Sequence, residues 1–153
     1  MDDVVVNLGK QMNLLFEQGN VSEAMAICEK VDDLSSQVRS KKVLAYFYYL
    51  CGAGLFACLN RSRLSGTYTL EQLKSRTDVL EQCLIYCENA IAALKKATQI
   101  DNTFVEAYFL LGQALEVKGK WPEAMEAYQH ASGLESNWKD DIEKRIGSLW
   151  RKM

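Results

Sequence analysis

The stretch VEAYFLLGQALEVKGKWPEAMEAYQHASGLESNW, residues 105–138, decides the fold. Its apolar and small side chains recur three and four residues apart, which puts them on one face of a helix. Gly119 breaks the run. Pro122 follows at a first-turn position, where its missing N–H costs nothing and its fixed φ suits a new helix. The segment therefore reads as two antiparallel helices joined at a glycine turn. Gly112 on the first and Ala124 on the second, twelve residues apart, are small where the two helices cross, and Tyr108, Leu115 and Tyr128 fill the space around the crossing.

The same spacing measures the rest of the chain. Leu8, Met12, Leu15, Gly19, Ala24, Cys28 and Val31 form a degenerate first copy with the same interval of twelve, Met12 being oversized at the small site. In the middle, Tyr48, Cys51-Gly52 and Leu55 make a first helix, and Ala90, Leu94 and Ala97 a second. Gly52 and Ala90 are 38 residues apart, so 26 residues are inserted. Both helices of that pair should then lengthen and meet at the loop Leu64–Tyr68, which makes the middle hairpin project. Capping boxes are expected for Asn20 with Glu23, Thr69 with Gln72 and Thr103 with Glu106. No hairpin turn of the Asn-Gly or Asp-Gly kind occurs. About seven helices result, near 3–18, 21–33, 37–62, 70–99, 104–118, 122–134 and 137–151. The last, with Trp138, Ile142, Ile146, Leu149 and Trp150 on one face, reads as a cap over the open end of the array, Trp138 and Trp150 being alternatively partner anchors.

With these residues in this register the chain resembles tetratricopeptide-repeat proteins, a departure being Ser136 where that family usually closes a repeat with proline. The resemblance implies an all-α tetratricopeptide-repeat α-solenoid, a right-handed superhelix over 1–153 as a single domain. Its repeats fall at about 5–35, 43–103 with the insertion, and 105–138, with a capping helix at 137–151. It also implies a concave groove lined by the first helix of each pair, at the second, fifth, ninth and twelfth residues of a repeat. Those positions are Tyr46, Tyr49, Ala53 and Phe56 in the middle repeat, and Glu106, Phe109, Gln113 and Glu116 in the third. The cation clamp by which some members grip acidic C-terminal tails is missing: Leu50, Glu106 and Leu110 occupy its places, and only Asn13 matches in the first repeat, where Gly9 stands for a lysine. An apolar or helical partner segment fits an aromatic groove better than an acidic tail. The groove could instead be filled by the C-terminal helix or the middle hairpin.

Composition narrows the function classes. The chain has 153 residues, 48% hydrophobic, with 18 basic and 20 acidic side chains and one proline. That describes one domain with no global field for nucleic acid. The apolar run Val43–Phe56 reads as a buried helix rather than a membrane span, and the acidic start Met1-Asp2-Asp3 lacks the positive flank of a signal peptide, so a cytoplasmic or nuclear setting is expected. Five cysteines then read as free thiols acting as small hydrophobes. Cys83 and Cys87, one turn apart, offer half a zinc site at most, because the chain holds one histidine, His130. No phosphate loop, dinucleotide fingerprint or HExxH occurs, so neither enzyme, metal nor cofactor is expected.

Charge is unevenly spread: residues 39–76 carry a net +6 and residues 1–38 a net −5. Arg61, Arg63, Lys74 and Arg76 flank the projecting hairpin, where they would form a basic tip for an acidic protein or filament surface, or for the acidic first helix of another copy. The function expected is a non-enzymatic binding module, adaptor or co-chaperone-like, that presents the groove and the tip to a protein. The alternative is a structural subunit of a larger complex or homo-oligomer whose groove is permanently occupied.

Overall fold

The computed structural model describes residues 1–63, 77–134 and 139–152. Among them are seven α-helices and one short 3-10 turn. The helices are α1 (Asp2–Glu17), α2 (Val21–Leu34), α3 (Lys41–Ser62), α4 (Thr77–Ile100), α5 (Val105–Lys118), α6 (Trp121–Ser132) and α7 (Lys139–Lys152). The 3-10 turn Ser35–Gln37 separates α2 from α3. Three antiparallel pairs result, α1 with α2, α3 with α4 and α5 with α6. The first pair joins the second through α1 on α3, the second joins the third through α4 on α5, and α7 packs on α6. The fold is an α-solenoid. α3 and α4 run 22 and 24 residues, against 16 or fewer for every other helix, so the insertion lengthens the middle pair. The Leu64–Tyr68 loop and the Thr69 cap lie outside the described residues, as do Ser136 and Trp138.

One spacing organises the inside of every pair. A Cβ on Gly112 would come within 2.8 Å of Tyr128 ring carbons, and one on Gly52 within 2.8 Å of Leu94 methyl and branch carbons. In the first pair the Cys28 thiol donates to Met12 Sδ at 3.2 Å. Gly112 to Tyr128 and Met12 to Cys28 are both sixteen residues apart, and Gly52 to Leu94 is the same interval plus the 26-residue insertion. Large meets small each time, with the roles exchanged in the first pair. The side chain that packs on the small site thus comes from one turn beyond Ala124 and Ala90, and Ala124 itself is fully buried. Between pairs, Phe16 of α1 lies against Gly54 of α3, where a Cβ would overlap its ring.

The helix ends correct two of the expected caps. Asn20 is the N-cap of α2, but its side chain makes no capping bond and donates instead to Gln18 Oε1. The turn there is made by Gly19, at φ 80°, as Gly119 at φ 83° makes the turn between α5 and α6. Thr103 is not the cap of α5. Its N–H and hydroxyl both donate to Asp101 Oδ1, at 3.0 and 2.7 Å, and Phe104 takes the N-cap position. An aspartate two residues back satisfies the same groups more directly, as Asx turns do. A cap missed in the sequence is Ser40, whose Oγ accepts from Val43 N at 3.3 Å.

Asp2 joins the start of α1 to the start of α3 by accepting from Arg39 N at 2.8 Å and Ser40 N at 3.0 Å. The Arg39 bond, opposed by partial desolvation and aided by the Ser40 bond, holds this carboxyl below its ordinary 3.8. A lowered folded value means a contribution present above that pH and lost as pH falls through the folded value. Asp2→Asn should therefore shift the urea midpoint at pH 7, and the difference from wild type should close below about pH 4. A gap of equal size at pH 2 and pH 7 would show that the carboxylate charge is not what matters there.

Candidate functional site

The side chains expected in the groove share one property: Tyr49, Ala53, Phe56, Glu106, Phe109, Gln113 and Glu116 are all half-buried, and Tyr46 is exposed. On helices whose neighbouring positions are fully buried, such a stripe marks a face that other helices cover only in part. Tyr46 and Tyr49, one turn apart on α3, meet Phe104 at the start of α5. Tyr49 and Phe104 have ring centroids 5.0 Å apart, Tyr46 and Tyr49 6.0 Å, and Tyr46 stacks on Phe104 at 6.4 Å with the planes 10° apart. Burial first, then the nearby Glu106 carboxylate, raise the Tyr49 phenol above its ordinary value. Phe104 was not foreseen. It precedes the first helical residue, so no helical periodicity points to it, and the Asp101–Thr103 turn is what aims it at the tyrosines.

Beside this trio, α1 and α3 enclose a hollow of about 450 Å³. Val5, Val6, Gly9, Phe47 and Leu50 make its walls, Tyr46 closes one side, and Lys10, Asn13 and Lys42 stand at its edge. Gly9, at the place where a clamp lysine would stand, leaves Leu50 and Phe47 carbons in ordinary contact range of its α-carbon substituent site. The surface is apolar with a cationic margin.

The third-repeat residues are placed differently. Phe109 and Gln113 line a separate hollow of about 430 Å³ whose other side is α7, through Asp141, Lys144, Arg145 and Ser148. Phe109 packs on the Tyr128 ring at 5.9 Å. Glu116 accepts from the Tyr128 hydroxyl at 2.7 Å and pairs with Lys152 of α7 at 3.8 Å, so it ties α5, α6 and α7 together. Lys152 also lies over the Trp121 ring. The structure thus brings Tyr46 and Tyr49 together with Phe104, and sets Phe109, Gln113 and Glu116 against the last helix. Of the two expected tryptophan anchors, Trp150 is 59% exposed while Ile142 and Leu149 of the same helix are fully buried.

In the described half of the basic tip Arg61 is exposed and Arg63 is buried. Arg61 donates to the Phe16 carbonyl at 2.9 Å and to Cys58 Sγ at 3.0 Å. Arg63 is buried, donates to Asn60 Oδ1 at 2.8 Å, and lies near Cys83 and Cys87, its burial lowering its proton affinity. Arg61 thus ties the end of α3 to the end of α1. Lys74 and Arg76 lie outside the described residues.

Elsewhere, His130 is exposed and packs on Tyr108 at 4.8 Å, in a cleft of about 710 Å³ with Lys95, Glu123 and Glu126. No group of three His, Cys, Asp or Glu side chains gathers as for a metal among the described residues. All five cysteines are free and buried. Helix α3 is long and apolar enough to cross a membrane by length and composition, at mean hydropathy 1.5, yet 56% of that window is buried among the other helices.

Stacked helical pairs with a half-buried stripe along their first helices define a helical-repeat protein. A family model described as a tetratricopeptide repeat matches residues 87–116. The match begins at Cys87 in α4 and ends at Glu116 in α5, so it spans the second helix of the middle pair and the first of the third. No curated protein matches the chain. Together with seven helices packed consecutively among the described residues, this match over 87–116 is consistent with a helical-repeat protein of the tetratricopeptide type, a kind of array that in general serves protein–protein interaction.

Proposed function

We propose that this protein is a non-enzymatic adaptor that holds an apolar or helical segment of a partner protein against α1 and α3. The observation that carries the reading is Tyr46, 54% exposed although it is aromatic and stacked on Phe104. A large ring held rigid at the lip of an apolar hollow gives much contact area at little entropic cost, the mark of an interface anchor. Lys10 and Lys42 at the edge favour a segment whose apolar residues are flanked by acidic ones. The third-repeat stretch of the groove, faced by α7, is the part that the chain occupies itself. Nothing in this arrangement needs catalysis.

The test is a partner obtained by affinity capture and then titrated, as a purified protein, against defined variants. Tyr46→Ala with Tyr49→Ala should weaken its binding by at least about 2 kcal/mol, roughly thirtyfold, at unchanged helical content. Phe109→Ala, on the face covered by α7, should change affinity far less. Equal affinity for wild type and the tyrosine pair would put the interface on another surface.

A further inference from the structure

Three sulfur atoms meet where the first helical pair joins the second. Cys28 Sγ of α2 lies 2.6 Å from Cys51 Sγ of α3 and 3.2 Å from Met12 Sδ of α1. The two cysteine sulfurs are about half an ångström farther apart than a disulfide bond of roughly 2.05 Å. Their register is set from outside the pair. One turn onward in α2 and one turn back in α3, Tyr48 of α3 donates to Asp32 of α2, and Lys96 of α4 binds the same carboxylate at 3.2 Å while lying over the Tyr48 ring. The α2–α3 seam therefore cannot slide without breaking that linkage, and the two thiols stay opposed.

We propose that Cys28 and Cys51 are an oxidation site at which a hydroperoxide closes a disulfide between α2 and α3. The Cys28 thiolate attacks the peroxide: an S–O bond forms, the O–O bond breaks, and the first water leaves with one thiol proton. The Cys51 thiolate then attacks the sulfenic sulfur: the S–S bond forms, the S–O bond breaks, and hydroxide takes up the second thiol proton to leave as water. Two thiols lose two electrons and one hydrogen peroxide becomes two waters. The thiol hydrogen bond to Cys28, together with burial, raises the Cys51 proton affinity, so reaction proceeds through local opening of α2, whose outer face is in solvent. The cross-link closes a loop of 23 residue steps and fastens the first pair to the second, fixing the hollow between α1 and α3. Cys83 and Cys87 cannot do the same. Residues four apart on one helix keep their β-carbons about 5–6 Å apart, against about 3.8 Å in a disulfide.

The experiment is peptide mapping of the folded wild-type chain after hydrogen peroxide, with free thiols alkylated under denaturing conditions. The expected product is the Cys28 peptide joined to the Cys51 peptide, two hydrogens lighter than the sum and separated again by dithiothreitol. Fragment ions distinguish Cys51 from Cys58, so no variant has to fold. The oxidised chain should melt about 5–10 °C higher than the reduced one. The proposal is overturned if Cys28 and Cys51 remain alkylatable while other cysteines oxidise, if they end as separate sulfinic acids, or if either links to a different cysteine.

Discussion

Gly112→Val should lower the unfolding free energy by about 3 kcal/mol and the melting temperature by roughly 6–12 °C. The Tyr128 ring occupies the place of the absent side chain, and it has nowhere to withdraw. It is fully buried, packed on Phe109, and its hydroxyl is held by Glu116. Relief would require α5 and α6 to separate, and Glu116 would then lose contact with α7 as well. Helix propensity works in the other direction, since replacing a mid-helix glycine by a better helix former gains up to about 1 kcal/mol. Gly147 of α7 isolates that gain, because nothing lies within 4 Å of a Cβ built there. Gly147→Ala should stabilise by roughly 0.5–1 kcal/mol. Opposite signs at the two glycines, read by urea denaturation, would separate packing from propensity; stabilisation at both would mean that α5 and α6 do not approach as closely as described.

Phe16→Ala should cost about 3–5 kcal/mol. The ring is 2% exposed within the hydrophobic core and lies against the bare backbone of Gly54, so truncation leaves a void there. The loss falls on the joint between the first and second helical pairs. Gly54→Ala supplies a sharper test. In the wild type it should destabilise by about 1–3 kcal/mol, because the methyl meets the ring. Combined with Phe16→Ala it should restore about 1 kcal/mol or more, since the same methyl enters the vacated space and alanine suits the helix better. A substitution that harms one background and helps the other reports direct contact. Simple additivity of the two changes would remove Phe16 and Gly54 from each other's surroundings.

Much of this was legible in the residues themselves. The interval of twelve between small sites, the glycines at positive φ and Pro122 in a first turn are local features, and local sterics give them the same meaning in any surroundings. They placed the helices, the pairing and the 26-residue lengthening of the middle pair. The half-buried stripe from Tyr46 to Glu116 was also readable, because position along a repeated helix determines which face is left uncovered.

Other features depend on directional partners that helical spacing does not count, some two or three residues away and some far along the chain. Asn20 and Thr103 had the spacing of capping boxes, yet Asp101 lay closer to the Thr103 groups and Gln18 took the Asn20 amide. Arg61 and Arg63 looked like an outward charge cluster, but Arg63 is buried and donates to Asn60, while Arg61, though exposed, donates to the Phe16 carbonyl. Phe104 joined Tyr46 and Tyr49 only because the α4–α5 turn brings it there, and Phe109 faces α7 across a hollow. Hydrophobic spacing repeats with the helix and can be counted along a single chain. A hydrogen bond or a ring contact is short-ranged and directional, so its partner is chosen among competing groups, near or distant in the chain, by a local geometry that exists only in the folded array.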